Sequence, residues 1–278
     1  MTANTNPESI VNEPGPGFLG HLAPSIRCYP YRGREQFLVD FEVESRYASE
    51  WLLLSEVDNQ TFTNEFLEPI DKTTPYTSWS SYDAHLQLLL VRTTKSPALE
   101  TASLTFHKIF LEALEPTGLK RSLKEIGSTT HFAALGAKEP DQSWRSHQLP
   151  PGCSQDWPSV VLEVAYSEPK SKLASDVRFW AQALGDDVKV VLTLCVHRQQ
   201  PEITIEKWVS NNNRYHIDQS VTVSKSADNR IMPSNAPLTI ELDKLFLRPT
   251  SIPSERSIEV DAGKLQYLAG EIWDEQGF

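Results

Sequence analysis

One stretch limits this chain more than any other: Pro158-Ser159-Val160-Val161-Leu162-Glu163-Val164-Ala165. Its two alternating faces, Val160/Leu162/Val164 and Val161/Glu163/Ala165, are apolar apart from Glu163. That is the pattern of a strand covered on both sides. A helix is expected next, over Ser171 to Leu184, with Leu173, Val177, Trp180, Ala181 and Leu184 on its apolar stripe and Gly185 at its C-terminal stop. Val188 to Val196 then reads as a second apolar strand. Strand, helix and strand within about 40 residues imply a crossover between parallel strands, hence an α/β fold.

Glu163 is the anomaly in that run. An unpaired buried charge costs several kcal/mol or more, so the residue needs a partner. Asp141, which follows a proline in the turn Lys138-Glu139-Pro140-Asp141, is the candidate carboxylate to set beside it. Two carboxylates brought together commonly hold a divalent cation through oxygen.

Hydrophobic residues make up 39% of the 278, enough for a real core. The formal net charge of −11 lacks the basic footprint of a generic nucleic-acid binder, though it leaves room for a local basic groove. Cys28, Cys153 and Cys195 are odd in number and form no CxxC, which points to reduced thiols and an intracellular setting, nucleus or cytoplasm. The first residues lack a signal peptide's basic and apolar regions, and no run approaches the ~20 apolar residues of a membrane span.

Residues 1–26 are expected to form a flexible tail, and 27–278 a single domain. Phe37, Val39, Phe41 and Val43 alternate, suggesting a strand over 36–44. Thr73 to Asp83 reads as a loop, and Leu86 to Val91 as a strand. Ser96-Pro97 opens a helix running to about Leu114, with Ala102, Phe106, Ile109, Phe110 and Ala113 as its stripe. Leu104 and Leu111 lie opposite, so cover on both sides is expected. Thr129 to Leu135 and Ile203 to Trp208 are further strands, with short ones near Val221 and Leu238. A C-terminal helix buries Leu265, Leu268 and Ile272.

The order is helix with Glu100, strand, turn with Asp141, strand with Glu163, helix, strand. Together with Ser81-Tyr82-Asp83, Leu99-Glu100, Gly127-Ser128, Pro140-Asp141, Trp157-Pro158 through Ser167-Glu168, Lys172-Leu173-Ala174-Ser175-Asp176 and Val188-Lys189-Val190-Val191, it resembles the PD-(D/E)xK nuclease superfamily, and within it a fungal group. The resemblance covers about 79–208. It implies a restriction-endonuclease-like core with a mixed central β-sheet flanked by helices, and additions at both ends. It also implies hydrolysis of DNA with Mg2+ or Mn2+ bound by Asp141 and Glu163, and Glu100 as auxiliary acid. The superfamily's lysine stands two residues after the strand acid, where this chain has Ala165. Lys172, at the start of the following helix and off its apolar stripe, is the expected substitute, with Lys170 second.

Each residue also has a plainer reading. Glu100 suits a helix's first turn. Asp141 suits a turn bonded to its own backbone, and Glu163 suits a partner such as Arg178. Lys172 and Asp176 suit an i,i+4 surface pair. Trp157, Tyr166 and Trp180 suit the core. The function-level alternative is an inactive nuclease-like fold serving as a protein-interaction module. No nucleophile elbow, P-loop or HExxH occurs.

Overall fold

The computed structural model describes residues 7–12, 17–22, 24, 26–47, 49–68, 79–94, 96–167, 171–181, 187–211, 214–250 and 256–278. They gather into two compact units. The larger comprises residues 1–12, 97–129 and 140–278; the smaller comprises 13–96 and 130–139. Among the described residues, no helix is long and apolar enough to cross a membrane.

The stretch expected as a tail lies partly outside the described residues. Within it, helix α1 (Pro7–Asn12) belongs to the larger unit, and Phe18, Leu19 and Leu22 are buried.

The smaller unit is a six-stranded sheet, β1-β2-β4-β3-β7-β6 in order across it. Its strands are β1 (Cys28–Pro30), β2 (Trp51–Ser55), β3 (Trp79–Asp83), β4 (Leu88–Arg92), β6 (His131–Ala133) and β7 (Gly136–Lys138). Helix α2 (Arg34–Arg46) replaces the strand expected over 36–44. Phe37 and Phe41, four apart, meet edge to face at 5.8 Å, while Val39 and Val43 point outward at 55% and 38% exposure. Gln36 donates to Asp40, and Arg46 pairs with Glu42 across one turn. These i,i+4 contacts fit a helix and would be lost in a strand. The expected loop at 73–83 is corrected in its second half. Residues 73–78 lie outside the described residues, but Trp79–Asp83 is β3, paired on both sides. Asp83 is buried there, and its carboxylate accepts the backbone N–H groups of Phe18, Leu19, His85 and Leu86.

The larger unit is built on a seven-stranded mixed sheet, β13-β12-β11-β10-β9-β8-β5. Its strands are β5 (Leu123–Glu125), β8 (Gln142–Ser146), β9 (Val160–Tyr166), β10 (Val190–Val196), β11 (Glu202–Asn211), β12 (Arg214–Lys225) and β13 (Ile231–Ser234). β5, β8 and β9 form an antiparallel meander. Helix α5 (Ser171–Ala181) then carries the chain over to β10, parallel to β9. The expected end of α5 at Leu184 and Gly185 lies outside the described residues. β14 (Leu238–Glu241), the short helix α6 (Leu242–Phe246), β15 (Ser257–Val260), which pairs antiparallel with β14, and helix α7 (Ala262–Gln276) follow.

Helix α4 (Pro97–Leu114) and α7 share one apolar core with Val160, Leu162 and Val164 of β9. The odd residues of β9 face α5 instead. The result, in the order helix, meander, helix and strand, is a mixed sheet flanked by helices, as the resemblance implied. Leu265, Leu268 and Ile272 are buried as expected. Leu104 is not covered, at 61% exposure. The strand expected over Thr129 to Leu135 is instead the short edge strand β6 of the smaller unit, and the strand leading from Asp141 is β8. Helix α1 sits against the outer edge of β12. Asn12 donates to the carbonyl of Tyr215 and accepts its N–H, and Glu8 accepts the N–H of Ile217.

Candidate functional site

Glu163 lies at the centre of β9 and is 1% exposed. Its neighbour in β10 is Thr193, whose hydroxyl accepts the indole N–H of Trp208 at 3.3 Å. In β11 Thr193 faces Glu206, whose carboxyl burial pushes above its usual range. On the other side, β8 pairs Gln142 with Leu162. Asp141 stands one residue ahead of Gln142, so the antiparallel ladder continued by one step sets it opposite Glu163. Directly opposed residues share a face. The Asp141 carboxylate accepts the N–H of Val164 at 2.7 Å, which ties it to β9.

Helix α4 reaches the same corner. The Ser103 hydroxyl donates to the Asp141 carbonyl at 3.5 Å and accepts from the Gln142 amide at 3.3 Å. Glu100, half-buried, stands one turn before Ser103 on α4.

Helix α5 closes the corner with Lys172, Asp176 and Trp180, four residues apart and each 1% exposed. Residues so spaced lie along one helix face. The Trp180 indole donates to Glu163 Oε1 at 2.7 Å. The Lys172 ammonium lies 3.8 Å from Glu163 Oε2 and 2.7 Å from Asp176 Oδ2.

Lys172 thus stands 3.8 Å from Glu163 in a buried position, although it lies off the apolar stripe. Its pair with Asp176 is likewise a buried contact, where a surface pair was the plainer reading. Of its expected stripe the helix buries Val177 and Trp180, while Leu173 and Ala181 are only half-buried; it also buries Ser175, Asp176, Arg178 and Phe179. Lys170 lies outside the described residues. Trp157 and Tyr166 are core aromatics. Trp180 is buried too, and its bond to Glu163 was missed because aromatic residues on an apolar stripe read as packing. The signal that could have found it is its spacing of eight from Lys172, which puts both on one face.

Mg2+ and Mn2+ take oxygen ligands, and Mg2+ is usually held by one or two carboxylates completed by water and phosphate. Asp141 and Glu163, carboxylates on neighbouring strands, fit that donor set. Among the described residues, no three His, Cys, Asp or Glu side chains group to hold a metal, so the fit rests on those two acids.

No protein-family model and no curated protein matches the chain. A solved structure from Anabaena variabilis ATCC 29413, a "putative nuclease belonging to DUF820", is similar at a TM-score of 0.38 and 9% identity, over 68% of this chain and 90% of that one. At those values the likeness says nothing about residue roles.

Proposed function

We propose that the chain is a nuclease-like phosphodiesterase acting on DNA, with Mg2+ or Mn2+ held by Asp141 and Glu163. The observation that carries this reading is the 3.8 Å approach of the Lys172 ammonium to Glu163. The strand position that would hold the superfamily's lysine is Ala165, which has no charge to offer, and α5 brings a cation to the strand acid instead. A bound divalent ion supplies an acidified water and stabilises charge on phosphate. Asp141 and Glu163 provide its oxygen ligands, Lys172 provides positive charge beside them, and Glu100 stands near on α4 as a further acid.

One observation favours the second reading, an inactive nuclease-like fold serving as a protein-interaction module. Glu163, Lys172, Asp176 and Trp180 already satisfy one another at 1% exposure. A nuclease time course with Mn2+ and Mg2+, comparing wild type with Asp141→Asn and Glu163→Gln, separates the two. The enzyme reading expects metal-dependent cleavage that falls about 100-fold or more in both variants, the scale of losing a group aimed at developing charge. Wild type no faster than Asp141→Asn under either metal would leave the interaction module. Thermal unfolding adds a second measure. A metal that binds only the folded chain raises the melting temperature, and both substitutions remove that rise.

A further inference from the structure

Helix α5 carries a residue whose chemistry packing alone does not explain. Resting on the nuclease reading above, we infer that Trp180 is a positioning residue that fixes the carboxylate of the metal ligand Glu163. Its indole Nε1 donates to Glu163 Oε1 at 2.7 Å inside the core. The indole is itself locked. Trp157 meets it edge to face at 6.2 Å and 89°, and Phe179 at 5.0 Å and 87°. Such contacts specify ring orientation as well as filling space.

A neutral donor suits this place. Indole N–H donates only and carries no charge, so it orients the carboxylate without competing electrostatically with a cation. With Oε1 taken, Oε2 is the oxygen turned toward Lys172, at 3.8 Å. That separation lies beyond hydrogen-bond reach. Lys172 instead makes its close contact with Asp176, at 2.7 Å. The helix thus holds the acid with an indole and the lysine with a second acid, and leaves the two at the longer separation of 3.8 Å. Without the indole N–H, Glu163 loses the donor that holds Oε1 and can draw closer to Lys172. A contact ion pair there withdraws from metal and phosphate both the ligand oxygen and the positive charge.

The test is Trp180→Phe, which keeps an aromatic ring but deletes the donor. DNA cleavage is measured against Mn2+ concentration. The inference expects kcat to fall about tenfold, KM for DNA to stay within about twofold, and half-saturating Mn2+ to rise several-fold. A packing role alone moves the melting temperature and leaves the Mn2+ dependence where it was. Wild-type kcat and Mn2+ dependence in Trp180→Phe, alongside an inactive Glu163→Gln, overturn the inference and leave the nuclease reading standing. A wild type that does not cleave removes both. Should Trp180→Phe fail to fold, the indole proton resonance of Trp180 in wild type replaces it. A resonance that shifts as Mg2+ is added supports the inference, and one that stays fixed overturns it.

Discussion

Replacing Lys172 tests the buried cluster most directly. The ammonium is 1% exposed and faces Asp176 at 2.7 Å and Glu163 at 3.8 Å. With an effective dielectric of about 20, those separations correspond to roughly 6 and 4 kcal/mol of attraction. Desolvation of several kcal/mol per ion offsets most of it. Deleting one partner is a different matter, because the carboxylates stay buried while their cation is gone; such cuts cost about 3–5 kcal/mol. Lys172→Met keeps most of the stem volume and removes the charge. It should lower unfolding free energy by about that amount, or about 6–20 °C in melting temperature at ~2–4 °C per kcal/mol for a unit of 150–250 residues. Urea unfolding followed by tryptophan emission measures it. Adding Asp176→Asn to Lys172→Met should restore part of the loss, since the cluster then carries one charge fewer. A Lys172→Met protein within about 1 kcal/mol of wild type would mean that the ammonium is hydrated and not enclosed by its partners. A nuclease assay on Lys172 variants is therefore interpretable only beside an unfolding curve. The sequence places Lys172 off the apolar stripe of its helix, and its burial there makes its removal costly.

Asp83→Asn should cost about 1–3 kcal/mol for each backbone N–H left without an acceptor, and amide exchange at Phe18 and Leu19 should quicken; unchanged urea unfolding and exchange would rule the carboxylate out as the anchor of that turn. Asp218 is held below the usual carboxylate range by its hydrogen bond from Lys207, at 2.8 Å, and then by the charge of Lys207. A depressed pKa adds stability that is present above the unfolded value, about 3.9, and is lost as pH falls through the lower folded value. The melting-temperature gap between wild type and Asp218→Asn should therefore hold steady above about pH 5 and close in more acidic buffer. A gap independent of pH would assign the effect to packing.

The parts of the fold legible in the sequence are those where one physical rule dominates. β9 could be read because seven consecutive buried positions, Val160 to Tyr166, tolerate only one acid. α7 could be read because Leu265, Leu268 and Ile272 recur at helical spacing. α2 could not, because Phe37, Val39, Phe41 and Val43 satisfy period two as well as the i,i+4 relation of Phe37 to Phe41. β8 reads Gln142-Ser143-Trp144-Arg145-Ser146, too polar to signal a strand, and exists because β5 and β9 offer backbone partners on both sides. The site divides the same way. Glu163 stood out because a lone acid in an apolar strand demands explanation. Lys172 stood out because the motif position held Ala165. Their enclosure by Asp176 and Trp180 depends on the rotation of α5 against the sheet, which the apolar stripe reported only in part.

The path of the chain has a consequence for how the protein is made. The bonds from Asn12 to Tyr215 and from Ile217 to Glu8 span 203 and 209 residues. At about 5–20 residues per second, a ribosome needs roughly 10–40 s between making α1 and supplying its partner. The smaller unit waits as well, since β6 and β7 are translated only after α4 and β5 of the larger one. Neither unit can close before synthesis has moved well into the other. Long-range closures of this kind slow folding and prolong the exposure of unpaired strand edges. The nascent chain should therefore depend on chaperones until β12 has emerged and α1 can dock on its edge.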